Sequence, residues 1–220
     1  MTTTVVTCFS DFVDKVTTEP RKDRIFRGVS DISHQLVPPI GRSPRWARMT
    51  RERLAREERA MLKRFSEEGA AYVEGFPTLS DWMVIARHHG VPVRLLSWSR
   101  SPLVALWFAC QGGPTDAGAV YVEMSSRTVG MGETVDPFRV RRISKLLPKH
   151  VYASSPTDVC CQTVYTVHPD ARIAYDSSSL QCLRISGKLK RHFKTTLGQL
   201  GVNPATLYPG LEGVARSIVA

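Results

Sequence analysis

The sequence predicts an α+β domain. Helical apolar spacing recurs in several segments, short β-rich runs stand between them, and the two alternate without a βαβ rhythm. The expected form is a single compact domain with a small mixed or antiparallel sheet and helices packed around it. A chain of 220 residues can bury one substantial core and is short for two. Residues 1–220 are therefore read as one unit, with residues 1–20 an N-terminal helix leading into it.

Each element has its own warrant. Phe9, Phe12, Val13 and Val16 fall at helical spacing over 9–18, with Ser10 a candidate cap. Residues 24–28 read as a short strand ending at Gly28, and Pro38-Pro39 forces 37–41 to extend or turn. Ser43 and Pro44 open a helix over 44–67, with Leu54, Met61 and Phe65 along one face. Gly69 to Pro77 breaks it. Thr78 or Ser80 starts the next helix, which Gly90 stops. Val93–Trp98 reads as a strand, and Ser101-Pro102 begins a helix through Cys110.

Ala119–Met124, Val159–Val167 and Leu180–Ile185 read as strands, with an irregular basic stretch over 125–156. Ser186 caps a helix carrying Leu189, Phe193, Leu197 and Leu200, and Gly201 ends it. Asn203-Pro204 opens a short helical turn, and Leu211, Val214, Ala215 and Ile218 form a final amphipathic helix.

Charge narrows the choice of partners. The formal net charge is +10, and nine Lys/Arg against three Glu fall between Arg42 and Arg64. Arg139–Lys149 and Lys188–Lys194 hold two further basic clusters. Such an excess suits an anionic partner: nucleic acid, a nucleotide or an acidic protein. A solvated helix face is the plainer account of any single cluster. No run approaches the ~18 apolar residues of a membrane span, and the first residues lack the pattern of a secretory signal. The five cysteines, Cys8, Cys110, Cys160, Cys161 and Cys182, include no C-x-x-C pair. No metal site is expected, and a reducing, cytoplasmic setting is.

The polar residues set into apolar segments are the candidates for chemistry. Arg27, at the end of a strand, suits an anion clamp, because a guanidinium binds phosphate through two parallel hydrogen bonds. A structural ion pair would explain it equally. His88, Arg94, Ser97, Ser99 and Ser101 gather at the joints of the His88–Cys110 run. Ser101 is the cap of the following helix, which leaves Ser97 and Ser99 freer. Glu123 and Gln162 stand in apolar strands, where each needs a partner, water or a cleft. No Gly-x-Ser-x-Gly elbow, Walker A loop, Gly-x-Gly-x-x-Gly turn or obvious carboxylate pair is present.

These segments together resemble the FRG domain family, named for Phe-Arg-Gly. Phe26-Arg27-Gly28 carries the name motif, and Leu36–Arg42 resembles the family's Leu-x-Pro-Ser-x-x-Arg stretch. The most specific likeness is Arg87-His88-His89-Gly90-Val91-Pro92-Val93-Arg94-Leu95-Leu96-Ser97-Trp98-Ser99-Arg100-Ser101-Pro102, followed by Ala105-Leu106-Trp107-Phe108-Ala109. Gln162 with Tyr165–His168, and Leu207–Gly213, resemble later family motifs. This chain departs from the pattern at Arg87, His89, Ser97 and Ser99, where the family usually has Gln, Tyr, Asp and Thr.

The order of these residues is also similar to that of ADP-ribosyltransferases. That similarity implies a split sheet, NAD as the bound nucleotide, and glycosidic cleavage with transfer to a macromolecular target, protein or nucleic acid, in phage–bacterium conflict. It casts Arg27, Ser99, Gln162 and Glu123 as catalytic residues. Arg27, His88, Arg94, Ser97 and Trp98 would line the NAD pocket. The alternative is a basic binding module without catalysis.

Overall fold

The computed structural model describes residues 1–18, 24–124, 136–146 and 155–219, together with the strand at 128–129. In chain order the elements are β1 (Thr2–Val6), α1 (Phe9–Thr17), β2 (Arg24–Val29), α2 (Pro39–Arg42), α3 (Pro44–Ala47), α4 (Arg51–Gly69) and α5 (Leu79–His88). There follow β3 (Leu95–Ser99), α6 (Pro102–Ala109), β4 (Gly118–Met124), β5 (Thr128–Val129), β6 (Ser144–Leu146), α7 (Pro156–Cys160) and β7 (Thr163–Val167). The last are β8 (Gln181–Ile185), α8 (Gly187–Gln199), α9 (Pro204–Leu207) and α10 (Leu211–Ile218). The fold is α+β.

One mixed eight-stranded sheet runs in the order β1-β8-β4-β2-β3-β7-β6-β5. Its two halves are unequally joined. Six residue pairs link β2 to β4, and five link β3 to β7. Between β2 and β3 a single pair, Phe26 with Ser99, is all that meets. Beyond that point the strands diverge and the sheet is split.

Register assigns the faces, because paired residues share a face and neighbours alternate. Phe26, Val120 and Val122 pack under α6 and α8, while Leu95, Tyr165 and Val167 pack against α5 and α4 on the same side. Ile25, Leu96, Trp98, Tyr121 and Val164 cover the other side with Tyr175 and Leu180. Two glycines set how closely α6 lies on the sheet. A Cβ at Gly28 would stand 1.9 Å from the Ala105 carbonyl oxygen, and one at Gly118 would stand 2.2 Å from that of Ala109. Gly28 is therefore explained by packing alone.

Several expectations change. The first residues are strand β1, paired in parallel with β8, so the N-terminal segment belongs to the sheet instead of leading into it as helix. Cys8, not Ser10, occupies the cap position of α1. The helix expected over 44–67 is two: α3 stops, and Thr50 caps α4 by accepting from the Arg53 amide. Val159–Val167 is likewise divided. Ser155 caps α7 through the Asp158 amide, and the chain turns at Gln162 (φ 48) before entering β7. Much of the irregular stretch over 125–156 lies outside the described residues.

Candidate functional site

The split in the sheet holds the candidate site. Where β2 and β3 part, Arg27 Nη1 donates to the Ser97 carbonyl oxygen at 2.5 Å. A continuing strand neighbour would otherwise engage that carbonyl, so the guanidinium both fills and maintains the gap. Arg27 Nε is sealed from solvent with no partner among the described residues.

The surroundings of Arg27 are cationic. Burial, followed by the like charges of Arg42 and Arg87, lowers its pKa to about 9. No carboxylate is among the charges that act on it. Arg42 Nε donates to the Val37 carbonyl at 2.6 Å, which anchors that side chain beside the gap. Arg87 Nε, at the end of α5, is also buried without a partner among the described residues. Arg42 and Arg87 thus surround Arg27 with like charge, an arrangement suited to an anion.

A pocket of about 220 Å³ opens beside Arg27. Gly28, Ser30, His34, Gln35, Arg42, Phe108 and Gln111 complete its wall. Lys190 holds two sides of that wall together. It is buried, and its Nζ donates to the carbonyls of Ser30 at 2.6 Å and Gln111 at 3.1 Å. This lysine of the third basic cluster is a strut that also adds positive charge, not part of a solvated face. The volume suits a phosphate with part of a sugar and is below the ~300–1,000 Å³ of sites that enclose a whole drug-sized ligand.

The other sequence candidates have different surroundings. Arg94 is sealed in the core. Its Nε donates to Glu58 at 2.9 Å, its amide donates to the same carboxylate at 2.7 Å, and its guanidinium lies 4.2 Å over the Phe138 ring. Trp98 is buried, with Nε1 donating to Thr166 Oγ1 at 3.0 Å and its ring against Tyr175. Glu123 is buried and accepts from Ser177 Oγ at 2.9 Å and Ser179 Oγ at 2.5 Å. Each of these three secures the fold.

Ser99 Oγ donates to the Cys161 carbonyl at 2.6 Å and accepts from the Ser101 amide at 2.9 Å, so it ties the strand-to-helix joint to α7. Gln162 is an exposed turn residue whose carbonyl accepts from the Arg100 amide at 3.0 Å. Register places the side chains of Ser97 and Ser99 on the face opposite Arg27. A common cleft of Arg27, Ser97, Ser99 and Gln162 is not what forms. Only the Ser97 carbonyl meets Arg27.

His88 belongs to a second polar group. Asp158 accepts from Tyr165 Oη at 2.8 Å and is in close polar contact with His88 Nε2, while Tyr165 Oη lies 3.2 Å from that nitrogen. Tyr165 pairs with Ser97 across β3 and β7, so this group lies on the face of the sheet opposite the Arg27 side chain. Burial, then the Asp158 charge, pushes the Tyr165 phenol well above its ordinary range.

Sequence reasoning gave no role to Arg42, Arg87, Asp158 or Tyr165. Arg42 and Arg87 stand inside motifs already marked, and their shared lack of acidic neighbours was the available signal. The pairing of Asp158 with His88 depends on tertiary structure alone. Among the described residues, no group of three or more His, Cys, Asp or Glu is placed to hold a metal ion, and no helix is long and apolar enough to cross a membrane.

No curated protein and no solved structure matches this chain. Residues 22–117, which run from the approach to Arg27 through the His88–Cys110 segment to the turn before β4, match the family model of the FRG domain. Over that stretch the chain carries an FRG domain.

Proposed function

We propose that the split in the sheet binds a phosphate-bearing nucleotide of the NAD class, and that the protein transfers ADP-ribose from it to a macromolecule. The observation that carries this reading is Arg27 and Arg42 lining a pocket of phosphate–sugar size, with Arg87 near enough to add like charge to Arg27 and no acidic residue acting on it. A partly buried guanidinium such as that of Arg27, with like charges and no acidic partner beside it, is costly in the free protein, and a bound anion relieves that cost. Nη1 of Arg27 is already oriented by Ser97, and Nε of the same group has no partner. Arg42 lines the same pocket, and Gln35, Ser30 and Gln111 offer hydrogen bonds for sugar hydroxyls. NAD would bring a glycosidic bond activated by its positively charged nicotinamide. The residues of the split bind and orient it.

Titration of the purified chain with NAD, followed by release of nicotinamide in the presence of protein or nucleic-acid acceptors, tests this. Saturable binding that weakens in Arg27→Gln, with release of nicotinamide, is the expected outcome. Absence of both binding and release refutes the reading.

A basic face favours a second reading. Arg48, Arg53 and Arg56 are exposed and make no ion pair among the described residues. The rest of that cluster is partly neutralised: Arg59 pairs with Asp136 and Arg64 with Glu68. Nucleic-acid binding that falls steeply with added salt would support this face as the contact. Binding that does not respond to salt would count against it.

A further inference from the structure

We propose that the outer edge of β1 is a pairing surface for a second copy of this chain, whose own β1 adds to it antiparallel about Thr4 and joins the two sheets into one. The inference is independent of the reading of the split.

Strand β1 ends the sheet and pairs with β8 alone. A strand hydrogen-bonded on one side only leaves alternate N–H and C=O groups along its other side without a ladder partner. Among the described residues, no backbone hydrogen bond from outside the sheet reaches Thr2–Val5. Thr2, Thr3, Thr4 and Val5 are all exposed, so α1, which begins at Phe9, leaves this edge open.

Edges of natural sheets carry devices against such pairing: charged side chains, proline, a bulge, or very short length. None of them is present in β1. Its five residues, Thr-Thr-Thr-Val-Val, are all β-branched and suited to a strand. Thr2–Val6 meet Gln181–Ile185 one for one, without a bulge. The first charged side chain of the chain is Asp11. The opposite edge follows the rule through its length, since β5 is two residues long.

Charge and symmetry identify the occupant. With a net charge of +10, two copies repel over much of their surface, and the uncharged edge is where they approach without that cost. A two-fold axis perpendicular to the sheet runs the strands antiparallel and keeps matching faces on one side. Centred on Thr4, it sets Thr4 against its own copy, Thr3 against the second copy's Val5, and Thr2 against the second copy's Val6. No charge faces a charge, and the Thr4 pair is of a favourable kind. The cation beside the edge is Arg184, which stands opposite Val5 one strand in. The two copies of Arg184 would lie three strand spacings apart, roughly 14 Å, beyond the ~8–10 Å reach of unscreened charge. One short strand edge covers less than the ~800 Å² per partner of a stable dimer, so this dimer is weak and forms at high concentration.

The test uses the full chain under a reducing agent, which keeps the exposed Cys8 and Cys160 from cross-linking. Sedimentation velocity follows association over the ~10 μM to ~1 mM range of weak complexes. Wild type is expected to pass from monomer to dimer. Raising salt from ~0.05 to ~0.5 M should tighten the dimer about threefold or more, because it screens the repulsion. Thr4→Lys and Thr4→Glu each set like charges opposite one another and should weaken association by about tenfold or more. An equal mixture of the two restores it, since Lys then meets Glu. Thr4 is exposed and a charge suits an edge strand, so both variants keep the fold. Wild type supplies a readout without any variant: amide exchange over residues 2–6 slows as concentration rises.

Wild type that stays monomeric throughout overturns the proposal. Monomeric wild type that binds a synthetic Thr-Thr-Thr-Val-Val peptide assigns the edge to a strand of another protein and overturns the second copy. Association that Thr4→Lys leaves unchanged, a mixture no tighter than either variant, or exchange over residues 2–6 that ignores concentration puts the contact elsewhere and overturns it as well.

Discussion

Acid should destabilise this protein through one enclosed imidazole. His168 has no solvent exposure, its Nε2 lies 3.1 Å from Thr166 Oγ1, and its Nδ1 has no partner among the described residues. Burial, reinforced by Arg27 and Arg94, lowers its pKa from 6.5 to about 3. The unfolded chain takes up a proton below the ordinary histidine value, and the folded chain resists until about pH 3. This contribution is complete above that ordinary value and is lost as pH falls through the window between the two. Within the window the loss is ~1.4 kcal/mol per pH unit, which amounts to about 2 kcal/mol between roughly pH 7.5 and 5.

Urea unfolding of wild type and His168→Gln at steps across that range measures it. The variant cannot titrate at this position, so its stability should fall by about 2 kcal/mol less over the same interval. Parallel curves for the two proteins would refute the argument, because the imidazole would then be reachable by protons in the folded state.

Three further outcomes follow. Arg94→Met leaves the Glu58 carboxylate buried without its partner and should cost about 3–5 kcal/mol, while Arg94→Met combined with Glu58→Met should recover most of the loss, both read from denaturant midpoints. Gly28→Ala drives a methyl group into the Ala105 carbonyl and should cost about 3 kcal/mol. A thermal midpoint about 6–12 °C lower would register that cost in a domain of this size. Arg27→Met removes a partly buried, repelled cation and should raise stability by about 1–2 kcal/mol while it weakens anion binding, a trade of stability against function.

The parts of this molecule legible in its sequence were those set by local chemistry. The Val93–Trp98 run and Ser101-Pro102 announced a strand and a capped helix, because alternation and the cap are local. The same Ser-Pro signal stands at Ser155-Pro156 before α7 and went unread, because the apolar run that follows reads straight into β7 and hides the turn at Gln162. The β-branched start Thr2–Val6 had no local partner, and its strand character comes from β8 at the far end of the chain.

Within the site, Arg27 stood out because a cation in an apolar strand is conspicuous. Ser99, Arg94 and Glu123 looked equally conspicuous. Their partners are Cys161, Glu58 and the Ser177–Ser179 turn, at sequence distances that no spacing rule reaches. The split itself is a failure of pairing between two well-formed strands, and nothing in either strand alone encodes it.

The most direct test of the account is pyrophosphate and NAD titration of wild type and Arg27→Met, with the unfolding free energy of both proteins measured in parallel. The account predicts saturable binding by wild type that weakens with salt, its loss in Arg27→Met, and a variant at least as stable as wild type. No binding by wild type, or a variant that binds equally and unfolds more easily, would contradict it: Arg27 would then be a strut of the fold and not the contact for a ligand.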